Sequence, residues 1–198
     1  MKKYEYDDKL KIIYKSTKKE PFFVDIPKMN YITYNGTGHP SGEDFQEACN
    51  TLFNLSYIIK FKIIKQRDID YKVNPLEVNW FLNKKEKNID FKWKAMIMQP
   101  GFITEEDFKK SLEISKSLGK NISYDKVKFE SIDFGKCVQC FHLGDYNNMN
   151  DTMYKMQNFA SSNNYEYDLY THDIYLNDSR KTKVENLKSI MRICVYKK

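Results

Sequence analysis

The sequence predicts an α+β fold in which duplicated strand-helix-strand-strand units form a curved antiparallel sheet with two long helices on one face. Three observations lead to this prediction. Apolar residues recur at helical spacing over residues 43–62, and two extended segments follow at 70–82 and 91–99. The same order of elements then returns in the second half of the chain. Such a duplication predicts a central groove between the halves.

The first unit starts with a strand candidate, "MNYITYNG", at residues 29–36. Turn residues and a capping serine precede the helix 43–62, whose broad apolar stripe requires a sheet beneath it. The polar stretch 83–90 separates the extended segments 70–82 and 91–99 and has the composition of a hairpin loop.

The second unit repeats that order after a capped, mostly polar connector helix at about 104–119. A hairpin around Gly135 and a helix at 150–162 are predicted here. The predicted strands are 126–134, 136–144, 171–178 and 189–198. We therefore expect a single domain over residues 1–198, with pseudo-repeats at about 29–99 and 127–197.

The composition is that of an ordinary globular protein with an excess of aromatic residues. Hydrophobic residues make up 41% and charged residues 30%, whereas the aromatic fraction of 15% is high and is typical of proteins with ligand sites. The net charge of +6 comes from lysines spread along the chain, a pattern that favours solubility over nucleic-acid binding. Because no segment has the apolar core of a signal peptide or a membrane span, we expect a cytoplasmic protein that binds neither nucleic acid nor membrane.

The cysteines and histidines do not have the spacing of a metal site. In the strand candidate "KCVQCFHLG", Cys137 and Cys140 point to opposite faces, roughly 10 Å apart along the chain. His39, His142 and His172 are too far apart in sequence to form a ligand pair. There is also no glycine-rich phosphate loop. We therefore expect no metal and no cofactor.

Two acids occupy corresponding places in the two halves. Asp173 lies in "THDIYLND", where strand alternation places it on the same face as Tyr175 and turns His172 to the other face. Glu77 has the corresponding position in "NPLEVNWF". These polar faces either line a cavity or point to water, and the tryptophans of the first half are either core residues or ligand contacts.

The chain resembles the GyrI-like small-molecule-binding proteins, specifically their stand-alone branch, which is related to cyclopropanoid cyclopropyl hydrolases. The resemblance spans roughly residues 25–182. It departs from the family at Asp173, where a glutamate is usual, and at Phe81, where a second tryptophan is usual. The segments that carry it are "DIPKMNYITYNGTGHP", "FQEACNTLFNLSYIIKF", "PLEVNWF", "WKAMIMQPGFITEEDF", "FESIDFGKCVQCFHLGDY" and "HDIYLNDSRKT".

The resemblance implies a groove for flat aromatic or cationic small molecules and a role in multidrug binding or xenobiotic resistance. Some stand-alone relatives hydrolyse the cyclopropane ring of DNA-alkylating natural products with groove carboxylates and aromatics. The residues expected to act in catalysis are Asp173, Glu77 and Tyr175. The expected ligand contacts are Trp80, Trp93, Tyr34, Phe141 and Phe81.

Two alternatives to hydrolysis remain open at this point. A carboxylate in an aromatic groove also attracts a cationic ligand without turning it over, which would make the protein a drug sensor or scavenger. The resemblance also extends to relatives that act on DNA gyrase, so an interaction module with a protein partner is the other alternative.

Overall fold

The computed structural model describes residues 1–81, 91–120 and 122–198. The predicted loop 83–90 lies outside the described residues. The described chain divides into two compact units. The first unit holds residues 1–5, 29–76 and 91–132, and the second holds residues 6–28, 77–81 and 133–198.

Four α-helices and eleven strands are formed by the described residues. The helices are α1 (Asp8–Lys15), α2 (Glu43–Ile58), α3 (Glu105–Ser117) and α4 (Met149–Ser162). The strands are β1 (Lys2–Lys3), β2 (Phe22–Ile26), β3 (Met29–Thr37), β4 (Ile69–Asp70), β5 (Leu76–Phe81), β6 (Lys92–Gln99), β7 (Val127–Ile132), β8 (Gly135–Leu143), β9 (Tyr165–Tyr167), β10 (Tyr170–Tyr175) and β11 (Lys188–Lys197). The predicted class, α+β with antiparallel sheet pairing and long helices, is confirmed.

In the first unit, β3 pairs antiparallel with β6 on one side and with β7 on the other. The buried face of α2, which includes Ala48, Leu52 and Leu55, supplies much of this unit's core, as its apolar stripe predicts. A π-helical turn at Ile59–Ile63 extends the helical segment beyond α2. The helix is therefore about as long as the sequence indicates.

In the second unit the strands follow the order β2, β8, β11, β10 and β5. The helix α4 packs on one face through Met156 and Ala160, which join a buried cluster with Val138, Met191 and Ile193. On the opposite face, the Gln139 and Arg192 side chains of the sheet donate hydrogen bonds to backbone carbonyls of α1. Both faces of this sheet are therefore covered.

The predicted hairpin around Gly135 is wrong. β7 pairs with β3, whereas β8 pairs with β2 and with β11, so the two segments are not hydrogen-bonded partners. Gly135 does have a positive φ of 61°, which the turn requires. A turn signal of this kind shows that the chain changes direction, but not which strand each segment will pair with.

The predicted extended segment 70–82 is interrupted before β5. Pro75, which has no N–H to donate to a strand ladder, precedes Leu76. The Asn74 side chain donates a hydrogen bond to the carbonyl of Met98 at 2.7 Å and holds the irregular stretch in place. No helix in the described part of the chain combines the length and the apolar character needed to cross a membrane.

Candidate functional site

β10 sends successive side chains to opposite faces of the second unit's sheet. His172 stands directly opposite Arg192 of β11, and Asp173 stands opposite Met191. Because directly opposed residues of antiparallel strands share a face, Asp173 lies on the face that Met191 presents to α4. We call this the α4 face, and the face with His172 and Arg192 the α1 face. The predicted divergence of His172 and Asp173 is confirmed.

The Asp173 carboxyl group is buried without full hydrogen bonding. The residue is 4% exposed, and its Oδ2 accepts one long hydrogen bond from the Thr171 hydroxyl at 3.4 Å. Its Oδ1 has no hydrogen-bond partner among the described residues. Burial raises the pKa of Asp173 from 3.8 to about 7, because desolvation disfavours the charged form. A carboxyl group that titrates near neutral pH can both accept and donate a proton.

Aromatic side chains lie on the same face as Asp173. The Trp80 indole N–H donates to the Tyr175 hydroxyl at 3.0 Å, which joins β5 to β10 on the α4 face. The Tyr146 ring, from the turn before α4, meets the Tyr175 ring edge-on at 5.5 Å. We define the α4-face site as these three aromatic residues and two polar ones: Trp80, Tyr146, Tyr175, Thr171 and Asp173.

Tyr146 is a member of this site that the sequence analysis missed. Its ring packs against Tyr175, which stands opposite Ser189 of β11. Its pKa is raised, mainly by burial and to a smaller extent by the charges of Asp178 and Asp173. Tyr146 begins a three-residue 3-10 helix, Tyr146–Asn148, which is too short to show a helical period in the sequence. Only its place between a strand and the N-terminus of α4 could have indicated its role.

Glu77 lies on the α1 face in a fully buried network. The Tyr14 hydroxyl donates to its Oε1 at 2.7 Å, and His172 Nε2 lies 2.7 Å from its Oε2. Burial lowers the pKa of His172, which keeps the imidazole neutral, so its Nε2–H donates to the carboxylate. Glu77, His172 and Arg192 are each 0% exposed.

Arg192 supplies the positive charge of this network. Its Nη1 lies 3.9 Å from Glu77 Oε2, its Nε donates to Gln139 at 2.7 Å, and its Nη2 donates to the carbonyl of Ile13 at 2.5 Å. Arg192 Nη1 makes no hydrogen bond within the described residues, so the Glu77 carboxylate balances its charge without bonding to it directly. These contacts join α1, β5, β10 and β11, which indicates a structural role for Glu77.

The predicted site residues are therefore distributed over distinct environments. Asp173, Tyr175 and Trp80 come together at the α4-face site. Glu77 lies on the α1 face, where the Phe81 ring contacts the Tyr170 ring at 5.2 Å. Phe141 also lies on the α1 face, since it stands opposite Ile190 of β11. The two predicted catalytic carboxylates thus do not form one pair.

Tyr34 and Trp93 belong to the first unit, where they form part of a buried aromatic group. Their rings stack at 6.1 Å, and Phe45 of α2 meets Trp93 edge-on at 5.1 Å. The Trp93 indole N–H donates to the carbonyl of Gly38 at 3.2 Å. Trp93 is 2% exposed. This environment favours the core interpretation of Trp93 that the sequence left open.

No group of three or more histidine, cysteine, aspartate or glutamate side chains within residues 1–81, 91–120 and 122–198 is arranged to hold a metal ion. Cys140 packs in the cluster beneath α4, whereas Cys137 lies opposite Cys194 on the α1 face. The prediction that Cys137 and Cys140 point to opposite faces is therefore confirmed.

Comparison with known proteins gives both a family and close structural relatives. The family model for the GyrI-like small molecule binding domain matches residues 19–195. An uncharacterised conserved protein from Listeria innocua is 30% identical, with a TM-score of 0.85 over 91% of this chain and 94% of that chain. A hydrolase from Listeria innocua is 27% identical, with a TM-score of 0.85 over 99% of this chain and all of that one.

A second hydrolase from Listeria innocua is 28% identical, with a TM-score of 0.83 over 92% of this chain and 94% of that chain. No curated protein matches the sequence.

Proposed function

The chain belongs to the GyrI-like small-molecule-binding domain family, and we propose that it binds a flat aromatic or cationic compound at the α4-face site and hydrolyses it. The observation that carries the proposal is the Asp173 carboxyl group, which is buried, has one oxygen without a partner among the described residues, and titrates near neutral pH. Perturbed carboxyl groups of this kind are concentrated at functional sites. Two relatives that cover nearly the whole chain are described as hydrolases, which supports the enzymatic part.

The substrate class that we propose is a cyclopropanoid alkylator, a strained ring conjugated to a carbonyl group. Ionised Asp173 removes a proton from a water molecule, whose oxygen bonds to the strained ring carbon. The ring C–C bond breaks, and its electron pair moves through the conjugated system to the carbonyl oxygen. That oxygen takes a proton from the Tyr175 hydroxyl, which is later restored from the protonated Asp173 through solvent. The net reaction adds one water molecule.

The aromatic side chains hold the flat part of the substrate in this proposal. Trp80 and Tyr175 are held together by the indole-to-phenol hydrogen bond, so their rings are positioned before the ligand binds. Tyr146 contributes a third ring from the turn before α4. If the ligand is a cation, the same rings attract it by cation–π contact while ionised Asp173 balances its charge.

Glu77 acts in this proposal as a positioning residue. It does not share a face with Asp173, and it holds β10 through the hydrogen bond to His172, the residue directly before Asp173 in the chain. Catalysis is sensitive to displacements of about 1 Å, so a network that fixes this strand also fixes the carboxyl group on its other face.

The test is a turnover assay with a cyclopropanoid substrate, in which loss of the alkylating chromophore is followed. Asp173→Asn should reduce kcat by a factor on the order of 10²–10⁴, the usual contribution of a general base. Asp173→Glu tests whether the shorter side chain is required for turnover. The control is Asp25→Asn, because the Asp25 side chain is 77% exposed and lies on β2, away from the α4-face site.

Two results would contradict the proposal in different ways. If the unmodified protein binds the substrate but converts it no faster than buffer, the protein is a sensor or scavenger for this class. If Asp173→Asn turns over as fast as the unmodified protein, the base is another residue. Because Asp173 must be ionised to act as a base, kcat/KM should rise with pH through about pH 7.

A further inference from the structure

Cys137 and Cys194 form a contacting thiol pair on the α1 face of the second unit. They stand directly opposite each other on β8 and β11, and their sulfur atoms are 3.4 Å apart. We propose that this pair is an oxidative modification site, at which hydrogen peroxide converts the two thiols into a reversible disulfide between the neighbouring strands. The site is separate from the proposed hydrolytic site, because Asp173 lies on the other face of the sheet.

The strand pairing already provides the backbone geometry that a disulfide requires. Directly opposed residues of antiparallel strands have Cα atoms about 4.5–5.5 Å apart. Disulfides form when this distance is about 4.4–6.8 Å. The sulfur atoms must approach from 3.4 Å to about 2.05 Å, which rotation of the side chains can supply while the strands stay paired.

The structure also makes the pairing selective. Cys140 is on the same strand as Cys137, but it faces the cluster beneath α4. Cys49 lies on α2 in the first unit. Cys194, by contrast, is the direct strand partner of Cys137.

Neighbouring groups make Cys194 the more reactive of the two. The Cys137 thiol donates a hydrogen bond to the Cys194 sulfur, and the Tyr170 hydroxyl lies 3.5 Å from the same sulfur. These contacts, that of Cys137 first, lower the pKa of Cys194 despite its burial. The thiolate is the nucleophilic form of cysteine. Cys194 is 9% exposed whereas Cys137 is 0% exposed, so a small oxidant reaches Cys194 first.

The reaction then has two balanced steps. The Cys194 thiolate attacks one peroxide oxygen, so that an S–O bond forms, the O–O bond breaks and, after proton uptake, one water molecule leaves. The Cys137 sulfur attacks the resulting sulfenic acid, so that the S–S bond forms, the S–O bond breaks and a second water molecule leaves. In total, two thiols and one hydrogen peroxide give one disulfide and two water molecules.

The experiment is peroxide treatment of the unmodified protein followed by thiol counting and disulfide mapping. After treatment, the protein is unfolded with an alkylating reagent present, digested without reduction and analysed by mass spectrometry. We expect two of the four cysteines to be lost from the thiol count, one linked peptide pair that contains Cys137 and Cys194, and full recovery with dithiothreitol. An unchanged thiol count, or linkage that involves Cys49 or Cys140, would overturn the proposal.

Two variants separate the roles of the partners. In Cys137→Ser the sulfenic acid on Cys194 cannot be resolved, so dimedone should label Cys194 and no linked pair should appear. Cys140→Ser, the matched control on the same strand, should form the linked pair as the unmodified protein does. Loss of the linked pair in the control, or the absence of dimedone labelling on Cys194 in Cys137→Ser, would show that the oxidation does not use this site. If a variant fails to fold, disulfide mapping of the unmodified protein still tests the proposal.

Discussion

Replacing Asp173 with asparagine should remove a large pH-dependent contribution to stability. Because the folded-state pKa of Asp173, about 7, lies above its ordinary value of 3.8, the folded protein binds the proton more tightly than the unfolded chain does. The resulting stabilisation is fully present below about pH 4 and is lost as the pH rises to about 7. Since a tenfold change in proton affinity corresponds to about 1.36 kcal/mol, the whole effect is about 4 kcal/mol.

The measurable part of this effect falls between pH 5 and pH 8. Over that range the folded carboxyl group releases its proton, while the unfolded one is ionised throughout. The free energy of unfolding of the unmodified protein should therefore fall by about 2.5 kcal/mol relative to that of Asp173→Asn. The amide has nearly the shape of the protonated carboxyl group but does not ionise, so the variant should be the more stable protein at pH 8.

The assay is urea-induced unfolding of both proteins at pH 5 and pH 8, with the free energy extrapolated to zero denaturant. Asp25→Asn, an exposed substitution of the same kind, is the control and should follow the unmodified protein at both pH values. If the gap between the unmodified protein and Asp173→Asn is the same at pH 5 and pH 8, the pKa of Asp173 is not raised. The assignment of Asp173 as the general base of the proposed hydrolysis would then be contradicted.

Two further substitutions test the core of each unit. Glu77→Ala leaves the Arg192 guanidinium buried without its carboxylate and should lower the free energy of unfolding by about 3–5 kcal/mol, measured by urea unfolding at neutral pH; a loss below about 1 kcal/mol would contradict the buried network. Gly36→Ala would place a Cβ against the Trp93 ring and should cost about 1–3 kcal/mol. The control Gly101→Ala, where a Cβ meets nothing within 4 Å, should leave the melting temperature nearly unchanged, and equal shifts in the two glycine variants would contradict the predicted collision.

Strand alternation was enough to predict which side chains share a face. It placed Asp173 with Tyr175 and turned His172 away, and the pairing of β10 with β11 agrees. It also separated Cys137 from Cys140. These predictions hold because the two-residue period of a strand follows from local backbone geometry and is the same in any sheet.

The family and the fold class could likewise be predicted from the sequence. The motifs that carry the resemblance to GyrI-like proteins all lie within the matched residues 19–195. The helical stripe of α2 was visible from its apolar spacing, since a helix that packs on a sheet needs a continuous apolar face.

The partners of each element were decided only by the tertiary structure. A local turn signal at Gly135 suggested a hairpin, yet β7 pairs with β3 and β8 pairs with β11. The sequence also predicted Glu77 as a second catalytic carboxylate, and only its partners in the structure indicate a structural role. These partners include Tyr14, which is 63 residues away in the chain, and Arg192, which lies on the last strand.

The burial of Asp173 also depends on the tertiary structure. The sequence shows an acid on a strand face and leaves open whether that face meets water or protein. In the folded protein Asp173 is only 4% exposed, and the loss of solvation raises its pKa. The solvation of a group depends on all the elements that surround it. The burial of Asp173 could therefore not be predicted from its sequence neighbours or from the strand period.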